Sequence, residues 1–188
     1  HMPATFLIAD THFGHEKTCT TFLGNDGKPL RPFTSADEMD EALVKNWNER
    51  VGQYDRVYLA GDVVINRRCL TTLSRLNGKL RLVAGNHDIF KTSDYLKYFE
   101  EIVACKVFED MIVTHIPIHK ASLTQRFGTN VHGHLHANRV KTTNKFGVEG
   151  IDPYYLCVSV EQIDFAPISL EEVRARIEKQ RQELKNWL

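Results

Sequence analysis

The chain has no excess of charge of either sign, no paired cysteines, no long apolar run and no internal repeat, and each absence removes a class of function. Twenty-four basic residues balance twenty-four acidic ones, so no broad basic surface is expected to track a nucleic-acid backbone. The short basic stretch at Arg139 and Lys141 is offset by Glu149 and Asp152 and does not alter that reading. Cys19, Cys69, Cys105 and Cys157 are scattered without a CxxC pair. That argues against a cysteine-built metal site and for reduced thiols in a cytoplasmic protein. No segment approaches the roughly 18 apolar residues that mark a membrane span, and the opening HMPATFLIAD has neither the basic nor the apolar part of a signal peptide. With 188 residues, 42% of them hydrophobic, and no linker or low-complexity tract, one domain over residues 3–188 is expected. His1 and Met2 read as a tag-cleavage scar.

What is present is a series of short β-branched runs, each ending in a polar residue suited to chemistry. TFLIA precedes Asp10, RVYLA precedes Gly61-Asp62, LRLVA precedes Gly85-Asn86, and MIVT precedes His115. These read as buried strands with functional tips. Between the first two, Met39, Leu43, Trp47 and Val51 recur every fourth position behind a Ser35/Glu38 capping box, which predicts an amphipathic helix. Between the second and third, Leu70, Leu73 and Leu76 stand three apart before Asn77-Gly78, and a further helix is expected there. Alternating strands and helices imply parallel crossovers, and in such sheets ligands collect beyond the carboxyl ends of the strands. The second half predicts further strands with tighter, partly antiparallel connections, then a closing helix behind a Ser169/Glu172 capping box. The segment from Thr18 to Arg31 reads as a surface loop, and Trp47 and Trp187 as core residues on helix faces.

Asp10 and His12 stand two apart past a strand, so an extended backbone would aim a carboxylate and an imidazole to the same side. Oxygen and nitrogen donors together suit manganese, iron, zinc or nickel better than calcium or magnesium. Asp62 follows a glycine that crowds nothing, and its two oxygens make it the candidate bridge between two ions about 3.5–4 Å apart. Gly85-Asn86-His87-Asp88 offers three donor types in succession, His134 and His136 repeat the same-side spacing after Gly133, and His115 supplies a further imidazole. Two divalent ions facing only two carboxylates would keep a positive residue of charge, which suits an anionic phosphate ester and rationalises an amide at Asn86.

DTHFGH at Asp10 to His15, GD at Gly61-Asp62, GNHD at Gly85 to Asp88, TH at Thr114-His115 and GHLH at Gly133 to His136 together resemble, in content and order, the calcineurin-like metallophosphoesterase superfamily. DEMDEALVKNWNERV and the later PISLEEV resemble a small single-domain branch found in bacteria and phages. The resemblance implies an α/β fold in which two mixed β-sheets pack as a sandwich flanked by helices. It implies two divalent metal ions, manganese first: one held by Asp10, His12, Asp62 and His136, the other by Asp62, Asn86, His115 and His134. It further implies in-line attack on phosphorus by a hydroxide shared between the ions, with His87 assisting the leaving oxygen and Asp88 orienting His87.

Singly these residues mean little, since a lone histidine is more often structural than a ligand; their order and their place at strand tips carry the reading. His15, His119 and His132 are expected beside the ligands, His15 foremost, and Arg31 and Arg67 are weaker candidates for contact with a phosphate. The expected activity is hydrolysis of phosphodiesters, and of monoesters as a second class, on small or nucleotide-like substrates, with no membrane partner. The competing readings are a non-catalytic scaffold of the same fold and a nuclease on longer nucleic acid. A complete ligand set with His87 argues against the first and neutral charge against the second.

Overall fold

A computed structural model describes residues 2–188; His1, set aside as part of a cleavage scar, lies outside the described residues. The predicted strand runs form β1 (Thr5–Ile8), β2 (Arg56–Leu59) and β3 (Lys79–Val83), which pair in parallel. β4 (Phe99–Val103) extends the same sheet in parallel, and the two-residue β11 (Ile168–Ser169) closes its other edge antiparallel to β1. A second sheet has the order β10 (Tyr155–Cys157), β7 (Thr129–His132), β6 (Met111–Val113), β5 (Lys106–Phe108), parallel except for the β5–β6 pair. A hairpin of β8 (Lys141–Thr143) and β9 (Glu149–Ile151) stands apart from both.

The two mixed sheets share one core, in which Leu7, Ile8, Val57 and Leu59 of the first pack in the same apolar cluster as Met111, Val113, Val131 and Leu156 of the second. Burial of such aliphatic side chains contributes about 1.5–3 kcal/mol each, which is why the β-branched runs fold as interior strands. The sheets are joined at the site end, where the Ala9 amide donates to the Val158 carbonyl at 2.9 Å.

The helix α1 (Lys17–Thr20) is one turn long, and α2 (Ala36–Arg50) is the amphipathic helix, burying Met39, Leu43 and Trp47. Ser35 caps α2 by accepting from the Glu38 amide, but Glu38 reaches back to Thr34 instead of closing the box on Ser35. Arg67–Arg75 is a 3₁₀ segment, where an α-helix was expected. The three-residue spacing of Leu70, Leu73 and Leu76 is the repeat of a 3₁₀ turn, and all three are buried on one side. After the short α3 (Thr92–Tyr95) and the second sheet, α4 (Leu170–Leu184) starts from its Ser169 cap and buries Val173 and Ile177. Trp47 is core, whereas Trp187, beyond the end of α4, is half-buried against Gly150. No helix among the described residues is long and apolar enough to cross a membrane, and the four cysteines are unpaired.

Candidate metal centre

Beyond the ends of β1, β2, β3, β6 and β7, seven chemically distinctive side chains converge. They fall into two groups, Asp10, His12 and His136 in one and Asp62, His115 and His134 in the other, the donor atoms within each lying within 4.8 Å of one another. Asn86 joins the second, its amide oxygen 3.0 Å from His115 Nε2 and 3.1 Å from His134 Nδ1.

The backbone does not reach this arrangement in the expected way. Asp10 and His12 have φ of 58° and 46°, so the step between them is left-handed and not extended. Asp62, His134 and His136 share that conformation at 54°, 73° and 53°. Each costs about 1–3 kcal/mol in a residue with a β-carbon and persists only where its surroundings impose it. Here they do: the Asp10 amide donates to Gly61 O at 3.0 Å, the His12 amide to Asp62 O at 3.1 Å, and the His134 amide to Asp10 Oδ2 at 2.8 Å. Gly61, at φ 88°, is required on two counts, since a β-carbon there would also lie 2.5 Å from His115 Nδ1. Gly133 acts by close approach and not by turning, because its β-carbon would meet Ala9 Cβ at 2.6 Å and Asp10 Oδ2 at 2.7 Å.

Hydrogen bonds around the rim decide which ring nitrogens face inward. His115 Nδ1 lies 2.6 Å from the Ala60 carbonyl, which can only accept, so its proton sits there and Nε2 presents a lone pair. His136 Nδ1 lies 2.9 Å from Glu161 Oε2, with the same consequence. His12 Nδ1 and His15 Nδ1 are 3.1 Å apart. Burial, with the neighbouring charges of His12 and Arg31, pushes the His15 pKa down to about 4, so His15 is neutral and can take the acceptor role opposite His12. The inward nitrogens then face oxygens that also only accept: His12 Nε2 is 3.6 Å from both Asp10 Oδ1 and Asp62 Oδ2, and His115 Nε2 is 3.2 Å from Asp62 Oδ2. Asp10 Oδ1 and His12 Nε2 are buried with no hydrogen-bond partner among the described residues. Lone pairs gathered in this way are costly unless a proton or a metal cation lies between them.

The electrostatics agree. Burial opposes ionisation of Asp10 and Asp62, yet bonds and fields from His12, His115 and, at Asp10, His136 hold both carboxyls below their ordinary pKa. Burial likewise disfavours protonation of His12 and His115, and the two carboxylates overcome it and raise both imidazoles. A potential that draws protons onto buried imidazoles draws divalent cations as well. Asp62 faces both groups through Oδ2 alone, because Oδ1 accepts from the His87 amide at 2.9 Å. Ions held by the two groups would meet Asp62 at Oδ2, although its chemistry alone allowed both oxygens.

Other expected residues land elsewhere. Asp88 does not orient His87: Oδ2 accepts from the Asp62 and Gly85 amides at 2.8 and 2.7 Å, and Oδ1 from Val63 at 3.1 Å. It ties the tip of β2 to the tip of β3. Arg31 is fully buried, not part of a surface loop, and meets no substrate space: it bonds the Asp10 and Thr11 carbonyls and pairs with Glu161 at 3.0 Å. Arg67 pairs with Asp94 at 2.9 Å beside a separate hollow, and His119 caps a turn by accepting from the Ala121 amide, so neither lines the centre. His132 is buried, with Nδ1 2.7 Å from the Gly133 carbonyl, and burial lowers its pKa to about 4. The residues that sequence reasoning missed are Glu161 and Ser159, whose hydroxyl donates to Asp10 Oδ2. No motif marks either; only folding brings the 3₁₀ turn Val160–Gln162 under His136.

Residues 5–153 match the model of the calcineurin-like phosphoesterase superfamily domain. The chain belongs to that superfamily. It is 32% identical over 186 residues to an uncharacterised protein of Methanocaldococcus jannaschii, covering 95% of this chain and 93% of that one. It is also 30% identical over 93 residues to the Gene 66 protein of Mycobacterium phage L5, covering 46% of this chain and 41% of the phage protein. A crystal structure of a protein of unknown function from Aquifex aeolicus superimposes with a TM-score of 0.66 at 23% identity, covering 93% of this chain and 99% of that one, and shows the shared fold. Both candidate ligand groups lie within the matched superfamily domain, whereas Ser159 and Glu161 lie beyond it.

Proposed function

We propose that this chain is a metal-dependent phosphoesterase that hydrolyses phosphodiesters, with monoesters as a second class, of small or nucleotide-like substrates. The observation that carries the reading is the pair of buried, unpartnered atoms Asp10 Oδ1 and His12 Nε2, set among the other carboxylate and imidazole donors of the two groups. Asp10, His12 and His136 would hold one divalent ion, His115, His134 and Asn86 a second, and Asp62 Oδ2 would be shared. Manganese is the first expectation, and iron, zinc and nickel suit the same mixed donors. When bound, such a pair polarises phosphoryl oxygens and lowers the pKa of a water at the centre.

The chain itself supplies placement and a proton. His87 is exposed at the edge of the centre, its ring centroid 6.0 Å from that of His12. Its main chain is pinned by the bond from its amide to Asp62 Oδ1. A side chain so placed can reach the leaving oxygen of an ester seated over the two groups and donate to it, which is worth about 100-fold or more in rate. His12, His115 and His136 are oriented through their outward nitrogens, so they need not reorganise as charge develops on phosphorus.

Assays of mono- and diester reporters with manganese, and again after chelation, test the proposal. Hydrolysis that stops on chelation and returns with metal is the expected result, and hydrolysis indifferent to chelation contradicts it. His87→Ala should slow turnover by about 100-fold while metal analysis still finds both ions.

A further inference from the structure

Beside the metal centre lies a cavity of about 600 Å³ whose floor is shared with it, being lined by His12, His87, His134 and His136. Its outer walls are of another character. Phe22, Leu23, Ile65 and Leu135 line them, and Phe22 and Leu23 are 44% and 61% exposed, large apolar side chains left facing solvent at the edge of a polar centre. Their loop is ordered: the Leu30 amide donates to Phe22 O at 2.7 Å and Gly24 to Lys28 O at 2.8 Å, forming a small hairpin about Gly24 to Gly27. The hairpin faces the turn from Leu135 to Asn138, which leaves the ligand stretch His134 to His136. The two are joined across the cavity edge by a bond from Asn25 Nδ2 to Asn138 Oδ1 at 2.9 Å. Rings step outward from the centre, His12 stacked on His15 at 5.3 Å and His15 edge-on to Phe22 at 5.4 Å.

We propose that this cavity is a nucleobase subsite, taking the base of a nucleotide-type phosphodiester whose phosphorus sits over the two ligand groups. The inference rests on the phosphoesterase reading and narrows its substrate class to esters that carry a nucleobase. A base needs apolar surface against its faces and hydrogen-bonding partners in its plane. Phe22, Leu23, Ile65 and Leu135 supply the first. The second comes from the amide pair: with one bond spent between them, Asn25 keeps its carbonyl oxygen as an acceptor and Asn138 its NH₂ as a donor, a combination that matches the edge of a base. A simple alkyl group would use the walls and leave both amides without a role. Contact with one base would let a chain without net charge select nucleotides, since nothing here follows a long phosphate backbone.

The test compares three p-nitrophenyl phosphodiesters with the same leaving group: the thymidine 5′ ester, the butyl ester and the methyl ester. The nucleoside ester should exceed the methyl ester by about 10- to 100-fold in kcat/KM, the range that stacking of one base provides. Phe22→Ala should cut that ratio about tenfold, and Asn138→Ala should change the preference among thymidine, adenosine and guanosine esters. A butyl ester favoured as much as the nucleoside ester, or a ratio indifferent to Phe22→Ala, overturns the subsite and leaves the phosphoesterase reading standing. Failure of all three esters to react with the metal-loaded protein overturns that reading instead. Binding to the metal-free protein then decides the subsite separately. Thymidine 5′-monophosphate should shift the NMR signals of Phe22, Leu135 and the Asn138 amide, and ribose 5-phosphate should not. Equal shifts from both overturn the subsite.

Discussion

The two halves of the candidate metal centre are built from different materials. The Asp10 group is backed by side-chain charge: Glu161 holds His136 at 2.9 Å and Arg31 at 3.0 Å, Arg31 holds the carbonyls of Asp10 and Thr11, and Ser159 holds the outer oxygen of Asp10. The Asp62 group is backed by main chain: the Ala60 carbonyl orients His115, and the Asp88 carboxylate gathers three backbone amides beneath it. Asp10, His12, Arg31 and Asp62 are buried, while Asn86 and His87 are exposed. A buried charge network answers to substitutions of charge, whereas a main-chain scaffold answers to loss of shape. The first half is therefore expected to set metal affinity and the second to set the geometry presented to substrate.

Asp62, common to both halves, should show the largest effect. Asp62→Asn is expected to lower hydrolysis by more than about 100-fold, beyond the usual cost of losing an outer partner, and metal analysis should find fewer than two ions per chain. Two ions retained with undiminished turnover would break the shared-oxygen arrangement. Next comes Glu161→Gln, which keeps the shape and removes the charge: affinity at the Asp10 group should fall about 10- to 100-fold in a metal titration, with less change at the Asp62 group. Equal weakening at both would show that the halves are not separable. Asp88→Ala should destabilise the metal-free protein by about 1–3 kcal/mol in denaturant unfolding, because amides of Asp62, Val63 and Gly85 lose their acceptor. Unchanged stability with a loss confined to kcat would return Asp88 to the catalytic role its sequence suggested.

An effect of similar size, confined to a pH window, concerns Asp40, whose two oxygens receive the Gly14 amide at 3.1 and 3.0 Å and so steady the chain just past His12. Burial raises its pKa from 3.8 to about 6. Between those values the folded chain binds the proton that the unfolded chain releases. Its stabilising contribution is thus full below about pH 4 and declines as pH rises towards 6. Asp40→Asn keeps one acceptor oxygen and cannot titrate. The wild-type minus variant stability of the metal-free protein should therefore fall by about 2 kcal/mol from pH 4 to pH 7. A difference flat with pH would show that Asp40 titrates normally.

Much of the first sheet was legible in the order of residues, because buried parallel strands are short continuous apolar runs and the polar residue after each run falls at the strand tip. The 3₁₀ segment was misread because leucines three apart suit either helix, and only its packing shows which. The role of Asp88 was misread because a carboxylate next to a histidine in sequence need not meet it in space; its three partners come from residues 62, 63 and 85. Arg31 in a polar stretch looked like surface, since nothing local announces a partner 130 residues away at Glu161.

By itself, the sequence determined the donor types, their placement at strand ends and the family to which they point, since these follow from side-chain chemistry and hydrophobic period, which are local. Tertiary structure alone decided which oxygen of Asp62 faces both groups, the left-handed turns at Asp10, His12, Asp62, His134 and His136, and the charge network beneath His136. Those features depend on contacts between segments far apart along the chain. Strained backbone and buried charge persist only where such contacts outweigh their cost.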